Sequence, residues 1–303
     1  MKIAVTAWAL TGNGSDLAAQ AEIAEDMGFD GFWLPENHFG GAAAIPAPLM
    51  LLASVASRTR RIRLGTTSYL LPIRHPILAA EEVAVLDRIS DGRVILGIGR
   101  GFQDSLFSAF DIPVRDKRKH FRANLDRMMA AWQGEPIHHH EGEDILLAPL
   151  PVQKPYPPLW VAAFGPLAIR QAGQLGLPYI ASPVESLEEL QRNIEQHQSE
   201  VAGAALPPVQ EIPVMRTIFV SADRAQNQSV CNALRQEAGG RFRSADAAVE
   251  DWAIVGEPAF VRDQIERYRE SLGMTYLIAR GRIPGVSHTA QVESHRLLAE
   301  LAG

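Results

Sequence analysis

Residues able to move a proton or grip an anion recur in this chain directly after apolar, strand-like runs. Glu36, Asn37 and His38 follow the run Gly31 to Leu34. A histidine titrates near neutral pH and can act as acid, base or hydrogen-bond donor. The plainer reading of the same triplet is a polar loop that satisfies its own backbone. Gly99-Arg100-Gly101 closes the run from Val94. Glycines there let backbone N–H groups approach an anion, and a guanidinium adds a forked, charge-assisted contact to a phosphate. A tight turn with a solvated arginine is the alternative. Phe164-Gly165-Pro166 begins a helix after another apolar run, and the N–H groups of such a start attract anions. Trp8, Thr66-Thr67-Ser68 and Arg280-Gly281-Arg282 occupy equivalent places. Arg280 and Arg282 would draw in an acidic substrate group, and Trp8, Tyr69 and Phe102 would line an apolar pocket or serve as core.

These positions need a scaffold in which many strand ends converge. Eight β-rich runs are legible, at residues 3–7, 31–34, 62–70, 94–99, 159–163, 179–182, 214–220 and 275–279. Each precedes helix-favouring sequence, which points to parallel strands joined by helices. Helical spacing is clearest at residues 15–27, 46–57, 76–89, 117–132 and 258–272, with Gly28 and Gly273 as C-terminal stops. Weaker helices start near Pro166 and Ser186. A polar, helix-favouring stretch runs to about Asp251, and residues 133–158 form a surface excursion. Eight strand–helix units in 303 residues predict an α/β fold, a single (β/α)8 TIM barrel with insertions spanning residues 1–303. In that fold, functional residues sit at the C-terminal strand ends.

Composition narrows the class. With 47% hydrophobic and 21% charged residues the chain reads as globular. A net charge of -6 argues against nucleic-acid or anionic-membrane partners. No apolar run approaches a bilayer span, and no signal-peptide pattern precedes the first strand, so a cytoplasmic protein is expected. Cys231 is the single cysteine, without an activating neighbour. His138-His139-His140 are consecutive, which suits a solvated loop better than a metal site. The basic run Arg115 to Arg122 reads as an exposed helix start. Gly12-Asn13-Gly14 lacks the third small residue of a dinucleotide loop, which argues against a nicotinamide site.

Taken together, four segments resemble the bacterial luciferase-like flavin-dependent oxidoreductases. They are GFWLPENHF, the long run TTSYLLPIRHPILAAEEVAVLDRISDGRVILGIGRG, PPLWVAAFGPLAIRQAGQLG, and VGEPAFVRDQIERYRESLGMTYLIARGR. Residues 182–251 match poorly. The resemblance implies a flavin or deazaflavin across the barrel mouth, its phosphate near Arg100 and the Phe164-Gly165 loop. A non-proline cis peptide is implied at Thr67 and Ser68, which would also touch the cofactor. His38, with Asn37 beside it, becomes the expected catalytic pair. The family's monooxygenase branch commonly reads Glu-His-His-Phe where this chain has Asn37 in place of the first histidine. His38 matches the histidine used in the F420 branch.

The function the resemblance implies is a two-component monooxygenase using reduced FMN and O2 on a small organic substrate. A flavin reductase would be its partner, and a homodimer its assembly. An F420-dependent dehydrogenase or reductase is the first alternative, and a non-enzymatic flavin-binding accessory protein the second.

Overall fold

The computed structural model describes residues 1–238 and 248–302. The strands are β1 (Lys2–Thr6), β2 (Gly31–Leu34), β3 (Arg63–Thr66), β4 (Tyr69–Leu70), β5 (Val94–Gly99), β6 (His138–His140), β7 (Glu143–Ile145), β8 (Leu159–Ala162), β9 (Tyr179–Ile180), β10 (Pro213–Val220), β11 (Ala253–Gly256) and β12 (Tyr276–Arg280). The helices are α1 (Gly14–Asp26), α2 (Pro48–Arg58), α3 (Pro76–Ile89), α4 (Asp104–Ala109), α5 (Lys117–Trp132), α6 (Pro166–Gln174), α7 (Leu187–Gly203), α8 (Arg224–Ala238), α9 (Pro258–Leu272) and α10 (His288–Ala302). Two compact units share them. One comprises Met1–Leu10, Ile23–Trp33 and Val161–Gly303, the other Thr11–Glu22 and Leu34–Trp160.

In the first unit β10 pairs with β11 and β12, β12 with β1, and β1 with β2, all parallel. Parallel strands carry helices on their faces, so they read as unbroken apolar runs. That is why Ile3 to Val5 and Leu277 to Ala279 are buried throughout. The crossover from β11 to β12 is α9, which buries Val261, Ile265, Tyr268 and Leu272 at helical spacing. Gly273 ends it at φ 66°, a left-handed turn that a glycine takes without a Cβ penalty. Close packing needs a glycine at 31 as well: a Cβ there would sit 2.4 Å from the Tyr276 hydroxyl.

The second unit pairs β3 and β4 with β5. Helix α3 buries Ala79, Val83 and Leu86, and α5 buries Phe121, Leu125, Met128 and Trp132. Asp87 is fully buried yet satisfied, accepting from Gln153 through both its backbone and its side-chain nitrogen at 2.9 and 2.7 Å.

The sequence-based elements hold with four differences. The run at 62–70 is two strands, because the chain turns at Thr67-Ser68. The polar stretch before residue 251 hides β11, whose four residues are too short to show a period; residues 239–247 of that stretch lie outside the described ones. Helices α4 and α10 are additions. The excursion at 133–158 contains the β6–β7 hairpin, so the three histidines lie on an exposed strand rather than a loop. His139 pairs with Asp144, and no His, Cys, Asp or Glu group among the described residues is arranged to hold a metal. No helix among the described residues is long and apolar enough to cross a membrane.

One core group in the first unit couples folding to pH. The His295 Nδ1 lies 3.2 Å from the Trp8 indole nitrogen and 2.8 Å from the Gln291 carbonyl. Burial pushes its imidazole down to about 4. A base with a depressed folded pKa binds more protons when unfolded, so its contribution is complete above about pH 6.5 and is lost as pH falls toward 4. At about 1.4 kcal/mol per unit, roughly 3 kcal/mol is at stake. Urea unfolding midpoints should therefore drop between pH 7 and pH 4.5 more steeply for the parent than for His295→Gln. Parallel slopes would remove His295 from acid sensitivity.

Candidate functional site

Within the second unit, the end of β2 leads into a buried polar network. Leu34 is the last fully buried strand residue, and its carbonyl accepts from the Thr67 backbone N–H at 2.8 Å. The chain then passes Pro35 to Glu36, whose side chain is 0% exposed. Its carboxylate is held by three donors. His38 Nε2 lies 2.7 Å from Oε1, while the Leu70 N–H and an Arg74 guanidinium nitrogen each donate to Oε2 at 3.0 Å. Burial pushes the Glu36 carboxyl up, and Arg74, His38 and the Leu70 N–H pull it back. Arg74 is fixed in turn: its guanidinium stacks on Tyr69 at 3.9 Å, and Asn124 donates to the carbonyls of Leu71 and Arg74 at 2.9 Å.

His38 sits in an aromatic setting. Its ring meets Phe110 edge-on at 5.4 Å and Phe39 at 5.7 Å. Both phenylalanines are exposed, Phe39 at 67%, an unusual cost for large apolar side chains beside a polar site. Asn37 uses its amide oxygen to accept from the Ile45 N–H at 2.7 Å, which pins the following loop.

The Thr67–Ser68 peptide is cis, at the place the resemblance indicated. Thr66 Oγ1 donates to the Gly97 carbonyl at 2.7 Å and anchors β3 beside β5. Opposite Ser68 stands Gly99, where a Cβ would lie 2.0 Å from the Ser68 hydroxyl oxygen. Only glycine fits there. Arg100 follows, almost entirely buried, its guanidinium 5.7 Å from the Phe121 ring. Burial and the positive field of Arg118 push it down to about 10, so it stays cationic at neutral pH. Lys117 donates to the Gly101 carbonyl at 3.4 Å. Two of the basic residues read as an exposed helix start thus gather at the end of β5. The spacing from 100 to 118 carries no local period, which is why sequence reasoning passed over Arg118.

Of the remaining expected residues, Trp8, Phe164, Gly165, Arg280 and Arg282 lie in the first unit, and Tyr69 and Phe102 in the second. Gly165 is at φ 82° and caps α6 with Pro166 next to it, and Phe164 is 69% exposed. Arg280 does not serve as an uncompensated cation: Glu237 accepts from it twice, at 2.8 and 2.5 Å. Arg282 is exposed. Trp8 and Tyr69 are core side chains, and Tyr69 donates to Glu82 at 3.0 Å; of the three aromatics expected to line a pocket, only Phe102 is exposed.

A histidine held by a buried carboxylate can handle a proton, and a buried arginine with a second cation nearby can hold a phosphate. Comparison with known proteins bears on this chemistry. The family model for luciferase-like monooxygenases matches residues 2–275. The oxygenase component of the flavin-dependent trigonelline monooxygenase of Acinetobacter baylyi is 29% identical over 223 residues, covering 70% of this chain and 60% of that protein. The F420-dependent glucose-6-phosphate dehydrogenase of Amycolatopsis mediterranei is 26% identical over 298 residues, covering 88% of each. The crystal structure of monooxygenase RslO1 from Streptomyces bottropensis superposes with a TM-score of 0.83 at 26% identity, covering 99% of this chain and 98% of that one. The expected α/β fold of the luciferase-like TIM barrels therefore holds. The chain is an oxidoreductase that belongs to the luciferase-like monooxygenase family.

Proposed function

We propose that this protein is the oxygenase of a two-component system that uses reduced FMN and O2 to oxygenate a small, largely apolar organic substrate. The observation that carries the reading is the end of β5, where buried Arg100, with Arg118 near it, stands next to a glycine that admits Ser68. That donor set fits a single compact phosphate: one forked cation, backbone N–H groups beside glycines, and a hydroxyl. Thr67 and Ser68 would contact the flavin, and the Phe164-Gly165 start of α6 is the alternative place for a phosphate. Bound reduced FMN supplies the electrons that activate O2. His38 holds or moves a proton beside it, and the amide nitrogen of Asn37 remains as a donor because its oxygen is committed to Ile45. Phe39 and Phe110 give the substrate an apolar surface.

A flavin reductase partner follows from this reading, by likeness to the relative named as an oxygenase component. So does a single functional domain, since the family match runs through both units. For the homodimer, the support is an exposed apolar stripe: Leu78, Val85 and Ile89 lie on one face of α3, with Met50 exposed on α2. Membership of an oxidoreductase family leaves the accessory-protein alternative without an observation of its own.

An F420-dependent hydride transfer is the second reading, favoured by the F420-dependent relative and by the basic residues 115–122, which would meet a polyanionic tail. Anaerobic titration of the purified protein separates the two. Reduced FMN should bind tightly, with binding little affected by salt, and oxygen uptake should accompany substrate oxidation. The same preparation should sediment as a dimer. Micromolar F420 affinity that weakens steeply with salt, without affinity for reduced FMN, would overturn the monooxygenase reading.

A further inference from the structure

We propose that Glu36 is a positioning residue that fixes the His38 imidazole as its Nε2–H tautomer, making Nδ1 the atom that takes up or gives the proton. The inference rests on the reading of His38 as the proton-handling group. Its basis is the way the two oxygens of Glu36 are divided. Oε2 alone meets the structural demands of the neighbourhood, accepting from the Leu70 N–H and from Arg74 at 3.0 Å each. Oε1 is presented to His38 at 2.7 Å. A carboxylate only accepts, so the nitrogen facing it must carry hydrogen, and in the neutral ring the proton-accepting site is then Nδ1.

The anchoring is stiff enough to impose that choice. The Glu36 side chain is 0% exposed and the His38 side chain 9%, so water competes weakly for the contact. Burial pushes the Glu36 carboxyl up and Arg74 opposes that push, while Arg74's own place is set by the Tyr69 ring and by Asn124 on the Arg74 carbonyl. Phe39 and Phe110 limit rotation of the imidazole from two further sides. Partners that orient metal-bound histidines are worth about 10–100-fold in activity, and the same scale is taken for this orienting carboxylate.

The direct test is nitrogen NMR of the full chain labelled with 15N-histidine, with the ring neutral and without cofactor. His38 should show the Nε2–H tautomer in the parent; a predominant Nδ1–H tautomer there would overturn the proposal with no variant needed. In Glu36→Gln, whose amide offers both a donor and an acceptor, the two tautomers should mix, and Glu36→Asp should restore Nε2–H. Turnover of Glu36→Gln should fall about 10–100-fold with the KM for substrate within about threefold. A folded Glu36→Gln with an unchanged tautomer also overturns the proposal. A changed tautomer with unchanged turnover would instead uphold the positioning contact and remove His38 from the chemistry, so the two failures are distinguishable.

Discussion

Replacing His38 by alanine is expected to lower turnover at saturating cofactor by about 10²–10⁴-fold, the range that a general acid–base group supplies. Cofactor affinity should change little, because the ring contacts Glu36, Phe39 and Phe110 rather than the basic cluster at the end of β5. The variant should fold, since His38 lies in a loop and its loss leaves Glu36 with the Leu70 N–H and Arg74. A carboxylate left with two of three donors is partly compensated, and a destabilisation of about 1–3 kcal/mol is the upper expectation. Single-turnover kinetics with pre-reduced cofactor would isolate the step. Turnover within about threefold of the parent would take the proton-handling role away from His38 and direct attention to Asn37.

Arg100→Ala should weaken reduced-FMN binding by about 10- to 100-fold, the equivalent of the 1.5–3 kcal/mol carried by a charge-assisted hydrogen bond. The burial of Arg100 places the effect at the upper part of that range, because water screens an almost wholly buried guanidinium poorly. Arg100→Lys keeps the charge and loses the fork, so its affinity should fall between parent and alanine variant. Arg118 is exposed, and Arg118→Ala should cost less than Arg100→Ala. Titration by flavin fluorescence under anaerobic conditions measures all three. An unchanged dissociation constant in folded Arg100→Ala would move the phosphate elsewhere, with the α6 start at Gly165 the next place to test.

The sequence by itself determined the parts of this protein that depend on local periodicity. Helix α5 begins and ends where its apolar spacing says, and α9 runs from Pro258 to the stop at Gly273. Buried parallel strands are apolar on both faces, so β1, β5 and β12 were legible as runs, and the residues just past strand ends were legible as candidates. The long segment through Thr67, Ser68 and Arg100 was specific enough to indicate the family and the cis peptide. Strand β11 was not legible, because four residues after a polar stretch carry too little pattern.

Partnership was decided only by the tertiary structure. Glu36 meets Arg74 across 38 residues and Arg280 meets Glu237 across 43, and no spacing rule links such pairs. The first pairing ties the polar triplet to a residue far along the chain; the second gives an arginine expected to draw in substrate a carboxylate partner. Burial made the same kind of decision for Trp8 and Tyr69, which sequence left equally open as lining or core. The physical reason is common to all of them. Backbone hydrogen bonding and amphipathic spacing act over a few residues and are written along the chain. Charge compensation and desolvation depend on what packing brings within about 4 Å, and that is settled only when the whole unit has folded.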